Sequence, residues 1–271
     1  MIHEKITLTD DKEVYLETYA PDKVDGYKGK AILVIPGGGY GCVCSEREGE
    51  PIALAFLKYG YSAFVLHYSV GRENNFPKQL TEASLAIKHI KDNAERYNID
   101  PNEVFAVGFS AGGHLCGSLG ILWKNDEVQK SIDMPYGYNK PKGVMMIYPV
   151  VSGEEFGHID SFKNLLGSDA PTKQQLDTVS LEKHVDAESS PAFIVHTATD
   201  DLVNVRNSLT LGEAYAKAGK KFELHIYPDA PHGVALGNAI TECGCEKWVD
   251  KSIEKWVEQA AEWADNEKAF C

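Results

Sequence analysis

The strongest chemical signal in the sequence is a serine between two glycines. Gly108, Ser110 and Gly112 form the pattern G-x-S-x-G, directly after a short apolar run at residues 104–107. Apolar residues then recur at the spacing of one helix face: Ala111, Leu115, Leu119 and Leu122. A strand, a tight turn and a helix around a central serine form a nucleophile elbow, which lifts the hydroxyl clear of the sheet. The pattern predicts that Ser110 attacks a carbonyl carbon, and the alternative is a glycine-rich turn whose serine is idle.

A serine nucleophile needs a base that takes its proton and a carboxylate that orients the base. In this architecture the acid and the histidine follow the serine in that order. Asp200 and Asp201 follow one predicted strand, and His232 follows the last predicted strand. Asp200 opens a turn that returns through Val203 to the next helix, so it is the predicted acid, with Asp201 a solvated or helix-capping neighbour. His232 lies in a loop between a proline and a glycine and is the predicted base.

Other histidines are weaker candidates for direct catalysis. His67 and His196 end predicted strands, and packing is the competing interpretation for both. His114 follows the serine by about one helical turn and is expected to form hydrogen bonds inside the core. His158 lies in the long segment of residues 151–188, where it is a candidate for contact with a substrate.

A run of three glycines predicts a loop that can bind a negatively charged atom. Residues 36–40 read Pro-Gly-Gly-Gly-Tyr and directly follow the apolar run of residues 31–35, which predicts a central strand. Three glycines leave backbone N–H groups uncovered and able to point at an anion. In an enzyme of acyl transfer the oxyanion hole belongs at this position, and a plain flexible turn is the alternative.

The elements that must hold these residues alternate between strand and helix patterns. Such alternation predicts an α/β fold with a mostly parallel, doubly wound sheet and helices on both faces. Residues 4–19 predict a β-hairpin, and residues 21–30 predict a loop. Residues 151–188 are long and weakly periodic, which predicts short helices over the carboxyl edge of the sheet, a small lid insertion. A C-terminal helix is predicted from about residue 246 to residue 264, with five side chains packed inward: Val249, Ile253, Trp256, Ala260 and Trp263.

Composition and charge limit the class of protein. A chain of 271 residues with 43% hydrophobic residues can bury one full core, so a single domain over residues 1–271 is predicted. The net charge of −13 argues against nucleic acid or an anionic membrane surface as a partner and leaves a neutral ester substrate open. No apolar leader begins the sequence and no apolar run reaches the ~20 residues of a membrane span, so a cytoplasmic protein is expected.

The six cysteines raise the question of a metal site. Cys42 and Cys44, and likewise Cys243 and Cys245, are spaced as C-x-C rather than as the C-x₂-C of common zinc sites. A four-thiolate site is therefore the weaker interpretation, and unpaired, reduced thiols are the preferred one. We expect neither a metal nor an organic cofactor.

Four motifs together resemble the α/β-hydrolase superfamily, over about residues 30–265. They are Pro36-Gly-Gly-Gly-Tyr40, Gly108-Phe-Ser-Ala-Gly-Gly-His-Leu115, His196-Thr-Ala-Thr-Asp200 with Val203, and Pro231-His-Gly233. The nearest branch is that of small bacterial carboxylesterases related to acetyl xylan esterases. The sequence departs from related lipases at two positions: Pro36 stands where they often have histidine, and Asn204 stands where they often have proline.

The resemblance implies roles for particular residues. The implied catalytic triad is Ser110, Asp200 and His232. The implied oxyanion hole consists of the backbone N–H groups of Gly38, Gly39 and Ala111, with Tyr40 able to replace one glycine. The candidates for contact with the substrate are Tyr40 and His158.

The function expected from this resemblance is hydrolysis of short-chain acyl esters, above all acetyl esters of sugars or xylo-oligosaccharides, through an acyl-serine intermediate. No helical cap precedes the first predicted strand near Ile6, which predicts an open site suited to a bulky polar alcohol and a short acyl group. The alternatives are a generic carboxylesterase or lipase-like enzyme, a peptidase-type hydrolase, and a non-catalytic binding protein of the same fold. The predicted edge strand at residues 222–227 permits a homodimer.

Overall fold

The computed structural model describes residues 1–22, 26 and 29–270. Half of the loop predicted for residues 21–30 lies outside these residues, as does Cys271, and the last two residues of that predicted loop, Gly29 and Lys30, belong instead to the strand that follows. The strands are β1 (Ile2–Thr7), β2 (Tyr15–Ala20), β3 (Gly29–Ile35), β4 (Tyr61–His67), β5 (Ile99–Phe109), β6 (Val144–Ile147), β7 (Ala192–Thr197) and β8 (Phe222–Tyr227). The α-helices are α1 (Ser45–Glu48), α2 (Glu50–Leu57), α3 (Lys78–Asp92), α4 (Ser110–Ile121), α5 (Asp126–Ser131), α6 (Ile159–Leu166), α7 (Lys173–Val179), α8 (Arg206–Lys217) and α9 (Trp256–Asp265). Short 3₁₀ turns lie at Leu181–Lys183, Glu246–Trp248, Ile253–Lys255 and Glu267–Ala269.

Among the described residues, eight strands form one sheet in the order β1-β2-β4-β3-β5-β6-β7-β8. Strand β2 pairs antiparallel with both β1 and β4, and the remaining neighbours pair parallel. The predicted hairpin and the predicted mostly parallel α/β sheet are therefore confirmed. Strand β8 is an edge strand, and the homodimer suggested for it stays a prediction.

The chain reverses its direction across the sheet at β3. From β3 it crosses to β4 on one side and then returns to β5 on the other side of β3. In open α/β sheets, ligands bind in the crevice beyond the carboxyl ends of the strands at such a reversal. Pro36 directly follows β3 and Ser110 directly follows β5. The fold thus brings the glycine loop and the serine to the same crevice.

Helices cover both faces of the sheet and bury an apolar core on each. One core receives Ile87 from α3, Leu119 from α4 and Leu211 from α8. The other receives Phe56 from α2 and Trp256 from α9. This two-sided covering confirms the doubly wound architecture, while the extent of the domain over residues 1–271 stays a prediction.

The C-terminal helix is shorter than predicted. Helix α9 begins at Trp256, ten residues after the predicted start, and Val249 is 42% exposed rather than packed inward. The cause is Asp250, whose carboxylate accepts the backbone N–H of Ser252 at 2.7 Å. A side chain that binds the backbone two residues ahead favours a turn over a helix. Ile253, Trp256, Ala260 and Trp263 are buried as predicted.

Residues 151–188 pack against the core beside the sheet. They contain helices α6 and α7, and α7 begins with a capping box between Thr172 and Gln175. Phe162, Val179 and Leu181 are fully buried in the core. The predicted short helices are present, and a role as a lid stays a prediction. None of the helices in the described part of the chain is long and apolar enough to cross a bilayer.

Candidate active site

The serine lies on a strained turn between β5 and α4. Ser110 has a φ of +52°, in the left-handed region that side chains rarely adopt. A Cβ at Gly108 would lie 2.1 Å from the carbonyl oxygen of Gly112, and one at Gly112 would lie 2.2 Å from that of Ile35. Both glycines are therefore required by close backbone approach, as a nucleophile elbow demands.

The serine, histidine and aspartate predicted from three separate loops lie within hydrogen-bonding distance of one another. His232 Nε2 is 2.9 Å from Ser110 Oγ, and His232 Nδ1 is 2.7 Å from Asp200 Oδ2. Because a carboxylate only accepts, Nδ1 carries the ring proton and Nε2 is free to accept the serine proton. This arrangement can deliver a proton from the hydroxyl to the imidazole as the oxygen attacks.

The side chain of Asp200 is completely buried, and both of its carboxylate oxygens accept hydrogen bonds. Its Oδ1 accepts the backbone N–H groups of Leu202 at 3.0 Å and Val203 at 2.8 Å. Its Oδ2 faces His232 and lies 3.2 Å from His196 Nε2. Burial alone would raise the pKa of this carboxyl, but the hydrogen bonds from His196 and His232 outweigh burial and hold the pKa well below its usual value. The carboxylate is therefore ionised at neutral pH and can stabilise an imidazolium.

Asp201 has a role that the sequence did not indicate. It is exposed, as expected of a solvated neighbour, but it does not cap a helix. Its Oδ1 accepts the backbone N–H of His232 at 3.0 Å. The two adjacent aspartates thus hold the histidine at different atoms, Asp200 at the ring and Asp201 at the main chain.

Three more side chains, which sequence reasoning missed, hold the histidine loop. The indole N–H of Trp248 donates to the carbonyl oxygen of His232 at 2.9 Å. The ring of Tyr148 packs edge-on against the imidazole, with 4.9 Å between centroids. The guanidinium of Arg47 donates to the carbonyl oxygen of Gly233 and stacks on Trp248 at 3.5 Å. These partners come from distant segments, so no local motif could have found them.

The glycine loop presents backbone N–H groups to the cleft. Gly38 and Gly39 have φ values of +127° and +62°, which favour glycine at both positions. Their N–H groups, and that of Ala111 in the first turn of α4, have no hydrogen-bond partner among the described residues. A cleft of about 780 Å³ is lined by both glycines together with Ser110 and His232. The three free N–H groups fit an oxyanion hole, which stays a proposal.

The side chain of Tyr40 does not line the cleft, so the prediction that it contacts the substrate is not supported. Tyr40 is 1% exposed, and its hydroxyl donates to His114 Nδ1 at 2.7 Å. His114 in turn donates from Nε2 to the carbonyl oxygen of Val179 at 2.7 Å, inside the core as expected. Burial lowers the pKa of His114 to about 4, so the ring is neutral.

The remaining histidine candidates separate by position. His158 lines the cleft, with Nδ1 2.8 Å from Ser161 Oγ, and its contact with a substrate stays a proposal. His196 is buried behind Asp200 rather than facing the serine. His67 stacks on Tyr15 at 4.1 Å between centroids, away from the site.

Three cysteines from the two C-x-C motifs line the same cleft: Cys42, Cys44 and Cys245. Cys42 Sγ and Cys44 Sγ are 3.9 Å apart, and the cysteines that the structure describes are all free thiols. Within the described part of the chain, no group of three or more histidine, cysteine or acidic residues is placed to hold a metal ion.

Comparison with known proteins places this chain in a family. The model of the BD-FAE family matches residues 16–215. The chain is 37% identical to endo-1,4-beta-xylanase B of Butyrivibrio fibrisolvens, over 79% of this chain and 34% of that protein. It is 29% identical to an acetylxylan esterase of Xylanibacter ruminicola, over 86% of this chain and 46% of that protein. The chain therefore spans less than half the length of either of these relatives.

A solved structure matches along its whole length. It is an acetyl ester-xyloside bifunctional hydrolase from Caldicellulosiruptor lactoaceticus, with a TM-score of 0.83 and 31% identity. The match covers 99% of this chain and 98% of that one. The overall arrangement of strands and helices is thus shared with a solved hydrolase.

Proposed function

The chain belongs to the BD-FAE family of carboxylic ester hydrolases with the α/β-hydrolase fold, and we propose that it hydrolyses short acyl esters of sugars through an acyl-enzyme on Ser110. The observation that carries this proposal is the chain of hydrogen bonds from Ser110 through His232 to Asp200 at the carboxyl edge of the sheet. Acetyl esters of xylo-oligosaccharides are the proposed substrates, because the relatives include proteins named as an acetylxylan esterase and an acetyl ester-xyloside hydrolase.

The proposed reaction has two steps. Ser110 Oγ attacks the ester carbonyl carbon while His232 Nε2 takes the hydroxyl proton, and Asp200 stabilises the imidazolium that forms. The carbonyl oxygen becomes an oxyanion held by the N–H groups of Gly38, Gly39 and Ala111. The imidazolium then gives its proton to the leaving alcohol, and the carbon–oxygen bond to the alcohol breaks. In the second step His232 deprotonates a water that attacks the acyl carbon. The bond from that carbon to Ser110 Oγ then breaks as the imidazolium returns its proton to Oγ, and the carboxylic acid leaves.

The form of the cleft supports a short acyl group and a polar alcohol. Leu202, a large apolar residue of its lining, is 55% exposed, so a long acyl chain placed against it would remain partly in water. Each buried CH₂ is worth about 0.8 kcal/mol, so an acyl chain that lies against an exposed side chain gains little from added length. The polar lining includes Arg47, His158 and Lys247, which can donate hydrogen bonds to sugar hydroxyls.

The test combines a substrate series with a probe for the nucleophile. We expect kcat/KM on p-nitrophenyl esters to be highest from acetate to butyrate and to fall by octanoate, with acetate released from acetylated xylo-oligosaccharides. A fluorophosphonate probe should label the wild-type protein and not Ser110→Ala. Labelling that persists in Ser110→Ala would refute the assigned nucleophile. A rate that rises through octanoate, with no acetate released from the sugars, would refute the carbohydrate substrate and leave a generic carboxylesterase.

A further inference from the structure

A buried carboxyl group that the proposed triad does not use lies behind the glycine loop. Glu48, the last residue of α1, is 4% exposed. Its Oε2 accepts the backbone N–H of Gly37 at 2.8 Å, and its Oε1 accepts the hydroxyl of Tyr148 at 2.7 Å. One hydrogen bond on each oxygen, both from donors, is the pattern of an ionised carboxylate.

Tyr148 continues this connection to the histidine loop. It directly follows β6 and is 1% exposed. Its hydroxyl donates to Glu48 and accepts the backbone N–H of Ala235 at 3.1 Å. Ala235 lies three residues after His232, and its carbonyl oxygen accepts the indole N–H of Trp256 at 2.9 Å. Three hydrogen bonds therefore join the glycine loop to the histidine loop, through one carboxyl and one phenol.

The same two side chains lie against the reacting groups. The Tyr148 ring contacts the imidazole of His232 edge-on, at 4.9 Å between centroids. A Cβ built on Gly37 would lie 2.8 Å from Glu48 Oε2 and 3.0 Å from Ser110 Cβ. The carboxyl, the glycine loop and the serine are thus packed directly on one another, with no room for a side chain between them.

A carboxyl group buried without purpose would be costly. Burial raises the pKa of Glu48. The hydrogen bonds from Tyr148 and Gly37 and the nearby charges of His232 and Arg47 lower it, but they offset only part of that rise. The charged or titratable groups around it are Arg47, Cys44, Tyr68, Tyr148 and His232. A fully satisfied network of this kind fixes one arrangement of the groups that it joins.

We propose that Glu48 and Tyr148 are positioning residues. They hold the glycine loop and the histidine loop at the distance from each other at which both loops lie beside Ser110. The Glu48 carboxylate also favours the imidazolium that forms at His232 when the serine attacks. Glu48 lines the cleft beside the glycine loop, Tyr148 lies against the ring of His232, and both act through the groups that they hold in place. The inference rests on the proposed esterase function and assigns two further residues to it.

The test compares Glu48→Gln with Tyr148→Phe on p-nitrophenyl acetate. The glutamine amide can accept only one of the two hydrogen bonds, and the phenylalanine removes the link to Ala235. We expect kcat to fall by about tenfold to a hundredfold in each, less than the ~10²–10³ for an oxyanion donor itself, with KM changed less than about threefold. The acid limb of the kcat/KM profile should move to lower pH in Glu48→Gln only, because only that variant removes a negative charge beside the imidazole.

The matched control is Glu82→Gln in α3. Glu82 is also buried, at 2% exposure, and it also accepts two hydrogen bonds, from the N–H and the hydroxyl of Ser69. Glu82→Gln should lower the melting temperature and leave kcat and the acid limb unchanged.

The outcomes separate the two proposals. A wild-type protein with no activity on any ester would refute the proposed function. An active wild type with unchanged kcat in Tyr148→Phe, or with an unmoved acid limb in a folded Glu48→Gln, would refute the positioning role alone. If Glu48→Gln does not fold, the kcat of Tyr148→Phe decides.

Discussion

Replacing Asp200 with asparagine should invert the proton arrangement of the site. The oxygen at Oδ1 accepts two backbone N–H groups, from Leu202 and Val203, so the asparagine oxygen must stay on that side. The amide NH₂ then faces His232 Nδ1, which can no longer donate and must accept. The ring proton moves to Nε2, where it points at Ser110 Oγ, 2.9 Å away. An imidazole in this tautomer cannot take the serine proton.

The expected fall in kcat follows from the loss of the general base. A histidine held in the wrong tautomer lowers kcat by ~10⁴, which corresponds to about 5 kcal/mol in the activation free energy. Asp201→Asn is the matched control, because its amide oxygen can still accept the backbone N–H of His232. We expect that variant to keep kcat within about tenfold of the wild type.

The assay is steady-state hydrolysis of p-nitrophenyl acetate at pH 7, with circular dichroism spectra to establish that both variants fold. Asp200→Asn should lower kcat far more than it raises KM. If a folded Asp200→Asn retained a tenth of the wild-type kcat, the aspartate would not be orienting the base. If Asp201→Asn lost activity and Asp200→Asn did not, the two assignments would have to be exchanged.

Two further predictions concern stability. The pKa of His114 is about 4 in the folded protein, which is below its value of about 6.5 in the unfolded chain. The neutral ring therefore contributes its full stabilisation above pH ~6.5. This contribution, up to about 3 kcal/mol, is lost as the pH falls toward 4. Chemical denaturation at pH 7 and pH 4.5 should therefore show a smaller loss of unfolding free energy in His114→Gln than in the wild type, and an equal loss would contradict the assignment. Gly108→Ala should cost about 3 kcal/mol or more, because its Cβ would lie 2.1 Å from a backbone oxygen and 2.6 Å from the Cβ of Cys116. Gly219→Ala, with a φ of +66° but open space around it, should cost only about 1–2 kcal/mol, and equal effects in the two variants would argue against steric exclusion at the elbow.

The sequence predicted those parts of the fold and site that depend on residues close together in the chain. The glycines around Ser110 and the turn that begins at Asp200 require particular residues within a few positions, so the pattern is visible in one segment. The predicted C-terminal helix started too early, because apolar spacing continued through residues where Asp250 binds the backbone ahead of it. Here a local hydrogen bond overrode the periodicity.

The supporting contacts were not predictable because they join distant segments. Glu48 and Tyr148 are 100 residues apart, and neither lies in a recognisable motif. Tyr40 was a candidate for contact with the substrate, yet its hydroxyl lies in the core, where it donates to His114. The direction of a side chain after a turn depends on what fills the core behind it, and the sequence around the turn does not encode that.

The residues of the candidate active site are far apart in the sequence. The hydrogen bond between Ser110 and His232 joins residues 122 positions apart, and the strands between them, β6, β7 and β8, pair in parallel. Parallel pairing and long loops make such contacts late in folding, because the entropy of closing the loop must be overcome before the contact forms. A nascent or partly refolded chain can thus acquire helices and much of its sheet while the base is still far from the nucleophile. Catalytic turnover therefore reports completed assembly, and a chain released before residue 232 is made has every part of the elbow but no base to activate it.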